Sequence, residues 1–387
     1  LAFMIGMGSG NYMTRSLGAG KRELAEQIVS IAFFTGIIMG LVITVSATFN
    51  IHRVVLLLGA TETIAPYAEA YAHYIFIAAP FMICSFIMNN LLRFQGKASF
   101  AMVGITVGGL LNIALDPLFI FTLDMGTAGA ALATGLSQFI SFCILLWMCN
   151  HQDSCISISI RKFRPKLAIY REVLYGGIPS LGRQGIASVA TILMNFMCQP
   201  YGDAAIAAMS IVSRFMFFIN SVIIGFGQGF QPVCSYCFGA GLYDRVKKAC
   251  WFCIRVSTII LLVLSVISFP AARSIITLFR RNDPTVIEIG TLALRLQLIT
   301  LPLQGAVIMG NMMPQSIGYG FRATLVSTAR QGIFLIPLLT IMTYTMGLLG
   351  IQCAQPLADI ATFILSLFVI RGIFKEFPED VSSFAAQ

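Results

Sequence analysis

The sequence predicts an all-α polytopic membrane protein made of two repeats. Of its 387 residues, 57% are hydrophobic and 11% are charged, and the mean hydropathy is +0.85. A soluble globular protein has about 45–50% apolar and about 25% charged residues. The apolar residues form runs long enough to cross a bilayer, and the chain resembles itself at a fixed offset. This composition excludes a disordered chain and a soluble nucleic-acid-binding domain.

Each predicted span follows from length and hydropathy, since a membrane helix needs about 20 mostly apolar residues. The rule predicts one partial span and ten full ones: 1–14, then 25–49, 67–91, 99–122, 127–149, 169–198, 204–236, 246–270, 285–313, 321–345 and 347–371. The polar stretch between the fourth and fifth full spans divides the chain. We therefore expect an N-lobe at 1–150, a linker at 151–166, a C-lobe at 167–374 and a cytoplasmic tail at 375–387.

The basic residues predict the orientation. The net charge of +9 comes from short clusters of Lys and Arg between the apolar runs. Most of these clusters fall in alternate loops, of which 161–171 is the richest and 371–375 the last. Basic loops stay in the cytoplasm, so we expect a multi-pass protein of the cell (inner) membrane with a cytoplasmic C-terminus.

An internal repeat relates the two halves of the chain. Glycine, proline and asparagine positions recur at an offset of 221 or 222 residues: Gly6, Gly8, Gly18 and Gly20 with Gly227, Gly229, Gly239 and Gly241; Pro80, Asn89 and Gly96 with Pro302, Asn311 and Gly318; and Gly126 and Gly129 with Gly347 and Gly350. Repeats of one orientation build two lobes. The sequence therefore predicts two six-helix lobes, with twelve helices in the full protein and about ten plus a partial one here.

The repeat also predicts a further helix upstream. The first span of the second repeat has its counterpart roughly 50–60 residues before residue 1. We expect the intact mass of the natural protein to exceed the 42.1 kDa of these residues. A mass spectrum near 42 kDa would contradict this.

Asp116 is the leading candidate for function because it lies inside an apolar span. A carboxylate at the bilayer centre costs about 2.5–3.5 kcal/mol on insertion scales and is a functional candidate by default. Asn112 lies four residues earlier on the same helix face, and its amide oxygen can bind a cation. Pro117 removes a backbone hydrogen bond and provides a hinge. The alternative is an aspartate that only caps a kink.

Other polar residues inside spans are candidates for the substrate cavity or for gating. They are Gln138, Arg183, Gln184, Arg295, Arg330, Gln331 and Asp359. Arg330 and Asp359 lie at comparable depths in consecutive spans, at about 1.5 Å per residue, so we predict an ion pair between them. For the arginines, structural pairing and contact with substrate both stay open. Phe81 and Phe119 are further candidate cavity contacts.

The motifs do not indicate an enzyme or a metal site. The two Cys-x-x-Cys pairs, Cys234 with Cys237 and Cys250 with Cys253, have the spacing of a zinc ribbon. They lie at the end of one span and within the next, and none of their counterparts in the first repeat is a metal ligand. They therefore predict helix packing. No catalytic residues and no metal are predicted.

Several segments together resemble the multidrug and toxic compound extrusion (MATE) family, bacterial type. They are 112–121, 125–134, 176–180 with 183–185, 225–232 and 330–337. The resemblance implies twelve helices in two lobes around a V-shaped cavity that opens alternately to each side. It also implies an antiporter that exports cationic or amphiphilic compounds in exchange for H+ or Na+.

The resemblance also implies a cation site in the N-lobe. The family uses an Asp on the first helix, Asn and Asp on the fifth, and Thr on the sixth. Asn112, Asp116 and Thr134 match the last three, whereas Pro337 takes the place of Asp116 in the second repeat. Cation coupling is thus expected in the N-lobe.

We further expect small-molecule substrates, membrane lipids around a monomer, no nucleic acid, and no cofactor other than the coupling ion. The alternative function is a lipid-linked or polysaccharide-precursor flippase with a more basic cavity, which the intramembrane arginines favour.

Overall fold

The computed structural model describes residues 1–57, 64–151, 158–281 and 283–378, and all regular secondary structure in these ranges is helical. The chain forms two compact units, Leu1–Gly177 and Ile178–Gln387. In the described ranges, nine helical segments are long and apolar enough to cross a membrane. The predicted all-α polytopic fold is therefore confirmed. The lobe limits given above stay a prediction.

The first unit is organised around one long central helix. Its helices are α1 (Ala2–Gly18), α2 (Arg22–Phe49), α3 (Ile51–Leu57), α4 (Ala65–Phe94), α5 (Ala98–Pro117), α6 (Gly126–His151) and the beginning of α7 (Leu167–Cys198). Helix α4 packs against α1, α2, α5 and α6. Buried apolar side chains such as Met7, Ile28, Ile87 and Phe94 fill its core. The short helix α3 was not predicted from the sequence.

Part of the predicted linker packs on the first unit. The linker residues 152–157 and the tail residues 379–387 lie outside the described residues. In the segment that follows 157, the Lys162 ammonium lies 2.6 Å from the Glu26 carboxylate of α2. The Ser159 backbone N–H donates to the Ser30 hydroxyl at 3.2 Å. This end of the linker is thus held against α2 by polar contacts.

The second unit contains two interrupted spans. Its helices after α7 are α8 (Asp203–Gly239), α9 (Tyr243–Phe279), α10 (Pro284–Thr300), α11 (Gln304–Ile317), α12 (Gly320–Thr328), α13 (Leu335–Met346) and α14 (Leu348–Glu376). A 3₁₀ turn around Pro302 separates α10 from α11, because proline has no N–H for the α-helical hydrogen bond. A π-helical turn, Ala329–Phe334, separates α12 from α13. Each pair was predicted as one continuous span.

The internal repeat is confirmed by hydrogen bonds that occur once in each unit. In each unit, three side chains donate to a backbone carbonyl of a neighbouring helix at 2.6–3.1 Å. The donors and acceptors of the second unit lie 221 or 222 residues after those of the first. The pairs are Thr14 to Phe94 and Ser235 to Ser316, Thr44 to Phe76 and Ser265 to Leu298, and Asn89 to Ala101 and Asn311 to Ala323. In two of the three, Ser replaces Thr and the hydrogen bond is kept.

Three tight turns also occur at equivalent places. Glycines with positive φ occupy them in both units: Gly20 and Gly241 (72° and 75°), Gly96 and Gly318 (81° and 92°), and Gly126 and Gly347 (55° and 63°). Side chains with a Cβ rarely adopt this backbone conformation. The recurring glycines therefore mark the same turns of one repeated fold.

The close approach of α1 to α7 generates a stability prediction. A methyl group at Gly8 would overlap the carbonyl oxygen of Val173 and lie 3.0 Å from the Gly177 nitrogen. Overpacking of this kind costs about 1–3 kcal/mol, so we expect Gly8→Ala to lower the melting temperature of the full-length protein in detergent.

Gly109→Ala is the matched control. A methyl group there meets no atom within 4 Å, and alanine favours a helix by about 1 kcal/mol over glycine. This variant should melt at or above the wild-type temperature. Equal melting of the two variants would contradict the close packing of α1 on α7.

Candidate functional site

The structure brings together the three residues of the predicted cation site. Asn112 and Asp116 lie on α5, and Thr134 lies on α6. The Asn112 Nδ2 donates to Asp116 Oδ1 at 3.2 Å and is 3.3 Å from Thr134 Oγ1. All three residues are half-buried. The first unit therefore contains a carboxylate, an amide and a hydroxyl in one cluster within its apolar helices.

Small residues let α5 and α6 approach each other beside this cluster. A methyl group at Gly108 would lie 3.0 Å from the Ser141 Cβ, and a methyl group at Gly104 would overlap the side chain of Leu145. The Ser141 hydroxyl donates to the Gly104 carbonyl at 2.8 Å. Close packing through small residues is typical of membrane helices. It holds Thr134 within reach of the amide of Asn112.

The arrangement provides oxygen ligands of the kind that hard cations prefer. Asp116 offers a carboxylate and Thr134 a hydroxyl oxygen, while the Asn112 amide presents its NH2 group to both. Rotation of this amide by half a turn would present its oxygen to a bound cation. The cluster can therefore either hold itself together by hydrogen bonds or surround a small cation.

The backbone changes its helical geometry directly after Asp116. Helix α5 ends at Pro117, and the chain continues as a π-helical turn, Leu118–Thr122. Pro117 cannot donate to the carbonyl four residues earlier, and π-helical turns are frequent at functional sites. Asp116 is thus next to an irregular segment, as a hinge requires. The hinge itself stays a prediction.

The predicted ion pair between Arg330 and Asp359 is present in the second unit. The Arg330 Nε lies 2.8 Å from Asp359 Oδ1. The side chain of Asp359 is 1% exposed and that of Arg330 is 23% exposed. Two glutamines also donate to the carboxylate, Gln355 to Oδ1 at 3.0 Å and Gln304 to Oδ2 at 2.9 Å. The buried carboxylate thus accepts three hydrogen bonds, one of them from a cation.

The two glutamines were missed by the sequence analysis. Gln355 precedes Asp359 by four residues on α14, so helical spacing could have indicated it. Gln304 comes from α11, and nothing in its local sequence indicates this contact. We call the four residues Arg330, Asp359, Gln304 and Gln355 the arginine cluster.

The other candidate residues are not joined to these two clusters by hydrogen bonds in the described structure. Arg295 is exposed, with its guanidinium 5.5 Å from the ring centroid of Phe269. Phe81 packs against Phe139 and Phe142, with ring centroids 4.9 and 5.4 Å apart. Within the described part of the chain, the remaining four candidates make no hydrogen bond to either cluster: Gln138, Arg183, Gln184 and Gln331. Their roles stay predictions.

The repeated helical fold, with polar clusters inside its apolar helices, defines a polytopic membrane protein. The MatE family model matches residues 1–118 and 179–341, which is more than half of the chain. The protein therefore belongs to the MATE family of efflux transporters.

Individual relatives agree with this family. The chain is 28% identical over 370 residues to the multidrug export protein MepA of Staphylococcus saprophyticus, covering 96% of this chain and 81% of the relative. It is 28% identical over 384 residues to MepA of Staphylococcus aureus strain MRSA252, covering 99% and 84%. A MATE crystal structure in complex with MaL6 superposes with a TM-score of 0.92 at 24% identity, covering 97% of this chain and 85% of that one.

The ion pair generates a prediction about stability. Arg330→Met leaves the fully buried carboxylate of Asp359 without a counter-ion, whereas Arg330→Met/Asp359→Leu removes both charges. Loss of one partner of a buried pair costs about 3–5 kcal/mol, and replacement of the whole pair is often neutral. We therefore expect the single variant to melt well below both the wild type and the double variant.

The exposed pair of Arg322 and Glu376 provides the control. Their side chains are 36% and 46% exposed, and exposed pairs contribute about 0–1 kcal/mol. Arg322→Met should therefore change the melting temperature little. Additive losses in the double variant of Arg330 and Asp359 would show that the two charges do not stabilise each other.

Proposed function

We propose that this protein is a secondary active transporter that exports cationic or amphiphilic drugs in exchange for H+ or Na+ by alternating access. The observation that carries this proposal is the cluster of Asn112, Asp116 and Thr134 inside the apolar helices of a MATE family chain. Support also comes from relatives that are multidrug export proteins.

In this mechanism Asp116 is the group that changes charge. Ionised Asp116 favours the state that binds a cationic substrate, and a proton or Na+ that neutralises it favours the other state. The two ligands need only bind the two states differentially to drive exchange. The helix would change shape at Pro117 and the π-helical turn after it. One charge crossing 100 mV provides about 2.3 kcal/mol, and each pH unit about 1.4 kcal/mol.

The chemistry of the first unit suits a lipophilic cation. The rings of Phe81, Phe139 and Phe142 form an aromatic cluster on α4 and α6, and aromatic faces attract organic cations. We propose Gln138, on the same helix as Thr134, as a polar contact. The transporter acts as a monomer among membrane lipids, with its C-terminus in the cytoplasm and with no cofactor except the coupling ion.

A flippase for lipid-linked or polysaccharide-precursor substrates is the second candidate. The observation that favours it is the excess of arginines in the predicted spans of the second unit, among them Arg183, Arg295 and Arg330. Such residues attract phosphate or carboxylate groups. A flippase of this kind would act on anionic lipids and would not depend on Asp116.

Transport in liposomes tests the proposed function. The full-length protein is reconstituted in vesicles loaded with a fluorescent lipophilic cation, and a proton or a sodium gradient is imposed separately. We expect one gradient to drive the dye across the membrane. Loss of only an outer-shell partner of a metal ligand costs about 10–100-fold in affinity or activity. Because Asp116→Asn removes the carboxylate itself, we expect it to transport at least about tenfold more slowly.

Asp124→Asn is the matched control, since it makes the same change at an exposed turn before α6. Asp124 has a φ of 51°, which asparagine also tolerates, so this variant should transport like the wild type. Undiminished transport by Asp116→Asn would contradict the assigned site. If neither gradient moves the dye while wild type and Asp116→Asn flip a fluorescent anionic lipid equally, the flippase replaces the antiporter.

A further inference from the structure

Three residues of the arginine cluster, Arg330, Gln355 and Asp359, lie on the helices of the second unit that correspond to α5 and α6 of the first. The offset of 221 residues, which relates Gly126 to Gly347, also relates Thr134 to Gln355. Gln355 donates to Asp359 one helical turn further along α14. In both units, therefore, these corresponding helices hold a carboxylate, and the position equivalent to Thr134 is polar.

The charges in the two units are distributed differently over that helix pair. Asp116 corresponds to Pro337, which has no charge, and the carboxylate of the second unit has moved to the following helix as Asp359. Asn112 corresponds to residues 333–334, and Arg330 lies within one turn of these positions. Arg330 belongs to the π-helical turn Ala329–Phe334. The second unit thus has a cation of its own beside its carboxylate.

The surroundings of Asp359 require a positive partner. Its side chain is 1% exposed, and an isolated buried charge is too costly to keep. Arg330 neutralises it through Nε alone at 2.8 Å. The Arg330 side chain remains 23% exposed. Arg330 is therefore the less buried partner of the pair.

A second observation points to a cation-binding site. The Gln304 Oε1 atom is buried and accepts no hydrogen bond from the described residues, although its Nε2 donates to Asp359. A buried acceptor without a donor is costly. Rotation of the Gln304 and Gln355 amides would place two oxygens beside the carboxylate. Such a set of oxygens suits a small monovalent cation.

We propose that Arg330 is a tethered cation, whose guanidinium occupies a monovalent-cation site formed by Asp359, Gln304 and Gln355 in the second unit. When the arginine side chain is removed, the site takes Na+ or a free guanidinium ion. The consequence for ion coupling rests on the proposed function. In that mechanism the second unit supplies its own counter-ion, and only the first unit exchanges ions.

Cation binding to an emptied site tests the inference without transport. The full-length protein carrying Asp116→Asn, which disables the proposed site of the first unit, receives Arg330→Ala. Its melting temperature in detergent is measured with millimolar guanidinium or Na+, and with choline for equal ionic strength. Ligand that binds the folded state stabilises it in a saturable way. We expect a rise of about 2 °C near ten times the dissociation constant.

Three variants in the same Asp116→Asn background are the controls. The background alone and Arg330→Lys keep a tethered cation, so neither should respond to added cations beyond choline. Arg330→Ala/Asp359→Asn has no carboxylate to neutralise, so it should fold and should not respond. A response restricted to Arg330→Ala supports the inference. Equal shifts in Arg330→Ala and in Arg330→Ala/Asp359→Asn overturn it.

Arg330→Gln keeps the test decisive if Arg330→Ala does not fold in choline. Both variants are then purified with guanidinium present and dialysed into choline, Na+ or fresh guanidinium. If the variants unfold in choline but stay folded in Na+ or guanidinium, the result supports the inference. Unfolding in all three media overturns it. Because the readout is stability, a failure of transport in liposomes leaves this result unchanged, and a failure here leaves the role of Asp116 unchanged.

Discussion

Every charge inside the apolar helices of this protein needs a partner, and this constraint determines the chemistry of both units. Water is absent from the bilayer core, so a buried carboxylate must be neutralised by a cation, a proton or a neighbouring side chain. Asp359 meets the requirement with Arg330 at 2.8 Å and with two glutamine amides. Asp116 has only the amide of Asn112 as its hydrogen-bond donor in the described structure. The carboxylate with the weaker permanent partner is the one suited to exchange ions.

The two units combine one framework with two kinds of site. The framework recurs as the same side chain to carbonyl bonds, such as Asn89 to Ala101 and Asn311 to Ala323. The polar residues differ: in the second unit Pro337 stands at the position of Asp116, and Gln355 stands at the position of Thr134. The same packing thus accommodates a carboxylate hydrogen-bonded to an amide in one unit and an ion pair in the other. Such asymmetry suits an exchanger, because the ion then biases one part of the molecule.

Some of the polar contacts followed from local sequence, and others did not. Arg330 and Asp359 could be paired from their depths alone, since helix rise converts residue number into position in the bilayer. Asn112 and Asp116 share a face because they are four residues apart. Gln304 could not be assigned to Asp359, because their separation in the chain gives no indication of contact. The breaks at Pro302 and in the turn before α13 were also missed, since mean hydropathy does not report backbone geometry.

The sequence by itself determined the helical membrane fold, its repeat and the residues whose burial needs compensation, because hydropathy, spacing and recurring glycines depend only on the order of residues. It did not determine which donor meets which acceptor. The tertiary structure decided that Thr134 reaches the amide of Asn112. It also decided that Gln304 and Gln355 join the ion pair. Hydrogen bonds act over about 3 Å, so only the packed positions of the helices select among the polar side chains at one depth.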